Sequence, residues 1–131
     1  ATYDDAVAFM GYFRRIKVRQ GQVLWRQGST GDECLIVVSG RLLSNLEQEA
    51  GTTEDVYPGN LVGEFAFCNN EKHTTTMSVA ETGVVYMLDR ASFEAAPLHL
   101  QIILFKICVK YLGHRCMNVS NRVWESHCVP I

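Results

Sequence analysis

Neither sign of charge dominates this chain. Its 131 residues carry 12 lysines and arginines against 14 aspartates and glutamates, so no broad basic field waits for a nucleic-acid backbone. A local basic run, Arg14, Arg15, Lys17, Arg19 and Arg26, reads as the solvated face of strands. No CxxC pair occurs among the five cysteines, Cys34, Cys68, Cys108, Cys116 and Cys128. Their number is odd, and Cys34 and Cys108 sit inside apolar runs, which predicts reduced, mostly buried thiols in a cytosolic compartment. There is no long hydrophobic run either. The longest, Leu98 to Leu112, contains Lys106 and Lys110 and is too short to span a bilayer. No signal-peptide pattern, internal repeat or low-complexity linker stands out. Asn118-Val119-Ser120 is formally a glycosylation sequon, but nothing else points to secretion. The chain begins at alanine, and the expectation is a fragment of a longer protein.

What is present is an ordinary globular composition, 47% hydrophobic and 20% charged, which excludes a disordered chain and suits one domain with one core. A short helix is predicted over about residues 2–11, from Thr2 and Asp5 to Gly11. From Tyr12 the texture becomes β. Phe13, Ile16 and Val18 alternate with basic residues. Gln20-Gly21-Gln22 turns the chain into Val23-Leu24-Trp25, and Gly28 to Asp32 is a loop. Cys34 to Val38 reads as a buried strand, Ser39-Gly40 as a turn, and Arg41 to Leu46 as the next strand. Glu47 to Glu54 reads as an exposed hairpin tip. Thr75 to Val79 and Val84 to Leu88 are further short strands. Many short strands with regular turn signals predict a sandwich or roll of about eight strands over residues 12–89.

At Asp89 the pattern changes to helix. Asp89 is a candidate N-cap and Pro97 a first-turn proline. Leu98, Ile102, Phe105, Val109 and Leu112 recur at helical spacing and are expected to pack on the roll. Gly113 is a stop signal, and Met117, Val119, Val123 and Trp124 continue a helical tail over about residues 90–127. The whole chain, 1–131, is read as one domain, mainly β with flanking helices.

The segment Tyr57 to Phe67, YPGNLVGEFAF, is the most telling for function. A Pro58-Gly59-Asn60 turn leads through Leu61-Val62 to Gly63-Glu64, and Phe65-Ala66-Phe67-Cys68 suits one helical turn. Glycine at a helix mouth lets backbone N–H groups approach an anion. A glutamate there accepts hydrogen bonds from sugar hydroxyls. Together they suit a phosphorylated sugar.

These elements, in this order, resemble the cyclic nucleotide-binding domain, the β-roll of the catabolite activator protein and the protein kinase A regulatory subunit. The resemblance runs from about Phe13 to Phe93. It is carried by Gly21-Gln22-Val23-Leu24, Gln27-Gly28, Asp32 to Gly40, Pro58-Gly59, Gly63-Glu64, Ala66, and Val85 to Arg90 with Phe93. The string Val23 to Gly28 is also similar to the copy of this domain appended to some sulfate-transporter-type anion transporters.

The resemblance implies a phosphate-binding cassette. It places Glu64 where the family's glutamate takes the ribose hydroxyl, beside Gly63, Phe65 and Ala66. The family then uses an arginine, a small-residue triplet and a valine to pair the cyclic phosphate. Aligned backward from Val79, that arginine's place falls on Thr75, next to Thr76. No arginine lies anywhere from Asn45 to Leu88. Lys72 and His73 are the candidate substitute cations, and Tyr111 and Trp124 the candidate lid aromatics. Losing a charge-assisted, partly buried contact costs on the order of 2–5 kcal/mol. Glu64 keeps two readings, a ligand acceptor or an acceptor at the cassette turn with no ligand.

Other chemistries fit poorly. Cys68, Asn69 and His73 lie together on a turn and strand with no reason to converge as a catalytic set. His114, Cys116, His127 and Cys128 fit no zinc spacing. The expectation is therefore a non-enzymatic regulatory or interaction module with no cofactor or metal, and with weak or absent cyclic-nucleotide binding. It would have no nucleic-acid partner and no membrane span of its own. Its helical tail would pack on a parent polypeptide or partner, in the cytoplasm or on the cytoplasmic side of a membrane protein. The alternative is a sensor of a cyclic nucleotide or other small ligand that moves the C-terminal helices.

Overall fold

Two long strands organise the molecule. β3 (Glu33–Asn45) and β6 (Thr76–Asp89) run antiparallel along their whole length, from Glu33 opposite Asp89 to Asn45 opposite Thr76. The structure, a computed structural model, describes residues 3–46 and 53–107. Around the long pair lie four shorter strands, β1 (Arg14–Val18), β2 (Val23–Trp25), β4 (Thr53–Val56) and β5 (Leu61–Val62). β1 pairs with the C-terminal half of β6 and β5 with the N-terminal half of β3. β2 pairs with the N-terminal half of β6 and β4 with the C-terminal half of β3. Each long strand therefore serves both layers of a roll.

The bend between the layers corrects the sequence reading. Cys34–Val38 and Arg41–Leu46 are not two strands around a turn, and neither are Thr75–Val79 and Val84–Leu88. Each pair is one strand with register shifts between Val37 and Leu42. Gly40 takes φ 80°, and opposite it a Cβ on Gly83 would lie 2.0 Å from the Ser39 carbonyl oxygen. The two glycines let the paired backbones cross closely and bend without ending the ladder, as bulges do.

Burial follows the period of two along the strands. Leu35 and Val37 point into the roll with Val18, Trp25, Leu42, Val56, Met77, Val79 and Val85. Cys34 and Leu88 point the other way, onto a second cluster with Phe9, Phe13, Leu61, Phe67, Phe93, Leu100 and Leu104. That outer cluster is where the helices pack. α1 (Tyr3–Met10) brings Phe9 edge-on to Phe13. α2 (Glu64–Asn69) brings Phe67 and α3 (Arg90–Ala95) brings Phe93 edge-on to it. Burial on both faces explains why Cys34 to Val37 reads as an unbroken apolar run.

Residues 98–107 form a fourth helix, α4. Here the expected packing face is wrong. Leu98, Ile102 and Phe105 are 71%, 45% and 40% exposed, whereas Leu100 and Leu104 are buried. The helix is apolar nearly all round, so two stripes competed. The one beginning at Leu100 and including half-buried Ile103 meets the roll. Val109, Leu112 and the tail beyond lie outside the described residues. No helix among the described residues is long and apolar enough to cross a membrane.

Candidate functional site

The cassette runs from Gly63 to Thr76, between β5 and β6. Gly63 caps α2 with φ 79°, a conformation that only glycine takes cheaply. A Cβ there would also meet Trp25 Cη2 at 2.9 Å and the Glu33 carbonyl oxygen at 3.0 Å. α2 stops after six residues because Asn70 turns left-handed, at φ 54°. Asn69 Nδ2 donates to the Phe65 carbonyl and Glu71 N to the Ala66 carbonyl, both at 2.9 Å.

This short helix splits the expected site residues. Glu64 is 1% exposed and Ala66 is buried, while Phe65 is exposed on the far side. The Ala66 methyl is committed to Gly31, where an added Cβ would come within 2.5 Å of it. Small residues on both sides thus let α2 press against the loop between β2 and β3. Phe65 instead lines an open outer cleft of about 420 Å³ with Thr30, Gly31, Asp32, Asn70, Glu71, Lys72 and Thr74. Lys72 belongs to that outer surface and bridges Thr30 through its backbone.

The residues leading into β6 are occupied. Thr75 is half-buried and accepts a hydrogen bond from Ser44 Oγ at 2.9 Å. Thr76 is buried, and its hydroxyl accepts from the Gln27 amide at 2.9 Å. His73 is 4% exposed and stacks on Trp25, with ring centroids 4.1 Å apart and planes 6° from parallel. Its Nε2 lies 3.6 Å from Glu33 Oε1 and makes no hydrogen bond. The His73 backbone is tied separately, its amide to the Ser29 carbonyl at 2.9 Å and its carbonyl to the Gly28 amide at 2.8 Å. So the two candidate cations part company. Lys72 is outside, and His73 is inside against an indole and a carboxylate.

Sequence reasoning missed Arg90. Its guanidinium donates to the Gly31 carbonyl at 2.8 Å and the Phe67 carbonyl at 3.0 Å. It also lies 4.8 Å above the Phe67 ring, and its Nε stands 3.6 Å from Asp32 Oδ1. Arg90 thus holds α2, the β2–β3 loop and α3 together, and its charge suits the C-terminal end of α2. It sits two residues beyond the arginine-free stretch, in the string Leu88-Asp89-Arg90. Local sequence identifies that string only as a strand end and helix start.

Cys34 is fully enclosed, and burial above all pushes its thiol far up from the ordinary cysteine range, helped by nearby Cys68 and Glu64. Cys68 is half-buried. Among the described residues no cluster of histidine, cysteine or acidic groups could hold a metal ion. His114, Cys116, His127, Cys128, Tyr111 and Trp124 lie outside the described residues.

A family model of the cyclic nucleotide-binding domain matches residues 15–97. The chain belongs to that family. Among relatives of this cyclic nucleotide-binding domain is the neuropathy target esterase sws of Drosophila persimilis. It is 30% identical over 106 residues, which cover 79% of this chain and 7% of that protein. The chain spans only 7 or 8% of the length of the curated relatives it matches. The catabolite activator protein of Thermus thermophilus superposes with a TM-score of 0.73 at 20% identity, over 95% of this chain and 59% of that one. A cAMP-binding acyltransferase from Mycobacterium smegmatis gives 0.59 at 28% identity, over 70% of this chain and 29% of that one.

Proposed function

We propose that this domain is a non-enzymatic regulatory or interaction module of a larger protein, with a cassette that has lost tight cyclic-nucleotide binding. The observation behind this reading is that no arginine or lysine side chain among the described cassette residues points inward. Lys72 stands on the outer cleft and Arg90 is committed to two carbonyls. The acid that would take a ribose hydroxyl, Glu64, is enclosed. A cyclic phosphate suits a bidentate guanidinium, and threonine offers only a neutral hydroxyl. The exposed Leu98, Ile102 and Phe105 face of α4 supports docking of this module on the rest of its parent polypeptide. The esterase relatives favour an esterase-type parent over the anion transporter that Val23 to Gly28 resembles, and the setting we propose is cytoplasmic.

Isothermal titration tests this reading. Cyclic AMP and cyclic GMP should bind with dissociation constants on the order of 100 µM or weaker, and submicromolar binding by the unmodified chain would overturn it. A second reading, a small-ligand sensor that moves the C-terminal helices, gains support from the cAMP-binding acyltransferase at 28% identity.

A further inference from the structure

The buried polar side chains among the described residues are Glu64, His73 and Thr76, and all three belong to the cassette. Thr76 is matched by the Gln27 amide, whereas the buried His73 Nε2 has no hydrogen-bond partner, which costs stability. One aromatic ring touches both ends of this segment. The edge of Trp25 abuts Gly63 so closely that no Cβ fits between them. Its face covers His73 at 4.1 Å, nearly parallel. The His73 Nε2 beside that stack is buried and lacks a hydrogen bond. Trp25 is itself buried, facing the roll interior from β2. The indole therefore does from within the chain what a planar heteroaromatic ligand would do from outside. It stacks on the imidazole and fills the ground in front of Gly63.

We propose that Trp25 is an autoinhibitory occupant of the cassette, and that a planar heteroaromatic ligand such as the purine of a cyclic nucleotide enters only when the indole withdraws. This rests on the reading above that the cassette binds cyclic nucleotides weakly, and it adds a cause of that weakness besides the absent arginine. If the indole-out state holds less than about a tenth of the population, the apparent affinity is reduced by that fraction.

Removing the indole should restore what it blocks. In the 131-residue chain, Trp25→Ala should bind cyclic AMP about tenfold tighter or better than the unmodified chain by titration calorimetry. Val56→Ala, a truncation in the same core away from the cassette, should leave the affinity unchanged. Trp25→Leu keeps an apolar filler of smaller volume and serves if alanine prevents folding. A second measurement leaves Trp25 in place. With Trp124→Phe, Trp25 is the one tryptophan left of the two, and its emission should shift red as millimolar cyclic AMP displaces it. No gain in either folded Trp25 variant, an equal gain in Val56→Ala, or binding with unchanged Trp25 emission would overturn the proposal. Submicromolar binding by the unmodified chain together with a red shift would sink the weak-binding reading and leave the displacement standing.

Discussion

Asp89 shows how much one side chain at a junction can do. It ends β6 and caps α3, accepting from the Ser92 amide at 2.7 Å, and Arg14 stands 3.9 Å away. The bond from the Ser92 backbone, above all, holds its carboxyl below the ordinary aspartate range. A carboxylate depressed by folding stabilises above its unfolded pKa and loses that contribution as pH falls through the folded one. Asp89→Ala should therefore cost about 1 kcal/mol at neutral pH. The gap in melting temperature from the parent should close as pH drops below about 4. Arg90→Ala should cost about 2–3 kcal/mol in urea denaturation, since two carbonyls lose a charged donor. Arg90→Lys should rescue only part, because a point charge cannot replace the fork. Cys34 should resist alkylation in the folded protein and react only on unfolding, because its thiolate is strongly disfavoured where it lies. Asp89 and the turns at Gly21 and Gly59 were legible in the sequence, because caps and turns are local. Arg90 was not, since its partners, Gly31 and Phe67, are 59 and 23 residues away.

Among elements, the strands were legible as apolar segments but not as continuous ones. Ser39-Gly40 looks like a turn in any local reading. Only the opposing Gly83 reveals that the backbone passes straight through with a bend. Gly83→Ala should thus destabilise by about 3 kcal/mol or more, because the new methyl meets the Ser39 carbonyl at 2.0 Å and neither backbone can yield cheaply. α4 teaches the opposite lesson. Its helical period was plain, but its phase was not, because apolar residues lie on more than one face. Leu104→Ala should cost about 2–5 kcal/mol by thermal or urea unfolding. Phe105→Ala should cost less than that, as Phe105 is 40% exposed and meets Phe93 edge-on at 5.5 Å. The reverse order would show that the Leu98–Ile102–Phe105 stripe faces the roll after all.

For the molecule as a whole, the family and its β-roll could be read from scattered glycines and the Gly63-Glu64 step. The state of the cassette could not. The family resemblance put Glu64, Phe65, Ala66, Lys72, His73 and Thr75 in one neighbourhood. The structure sorts them into an enclosed acid, an outward phenylalanine and lysine, a histidine under an indole, and a threonine held by Ser44. Such sorting depends on Trp25 and Glu33, which lie far off in the chain. We propose that this enclosed cassette leaves cyclic nucleotides little to hold. Amide chemical shifts followed by NMR during titration with cyclic AMP test this at the cassette itself. Small, fast-exchange shifts are expected in the cassette and around Trp25, still unsaturated at ligand concentrations on the order of 100 µM. Slow-exchange shifts complete at one equivalent of ligand, with Glu64 and His73 amides among those that move, would contradict it.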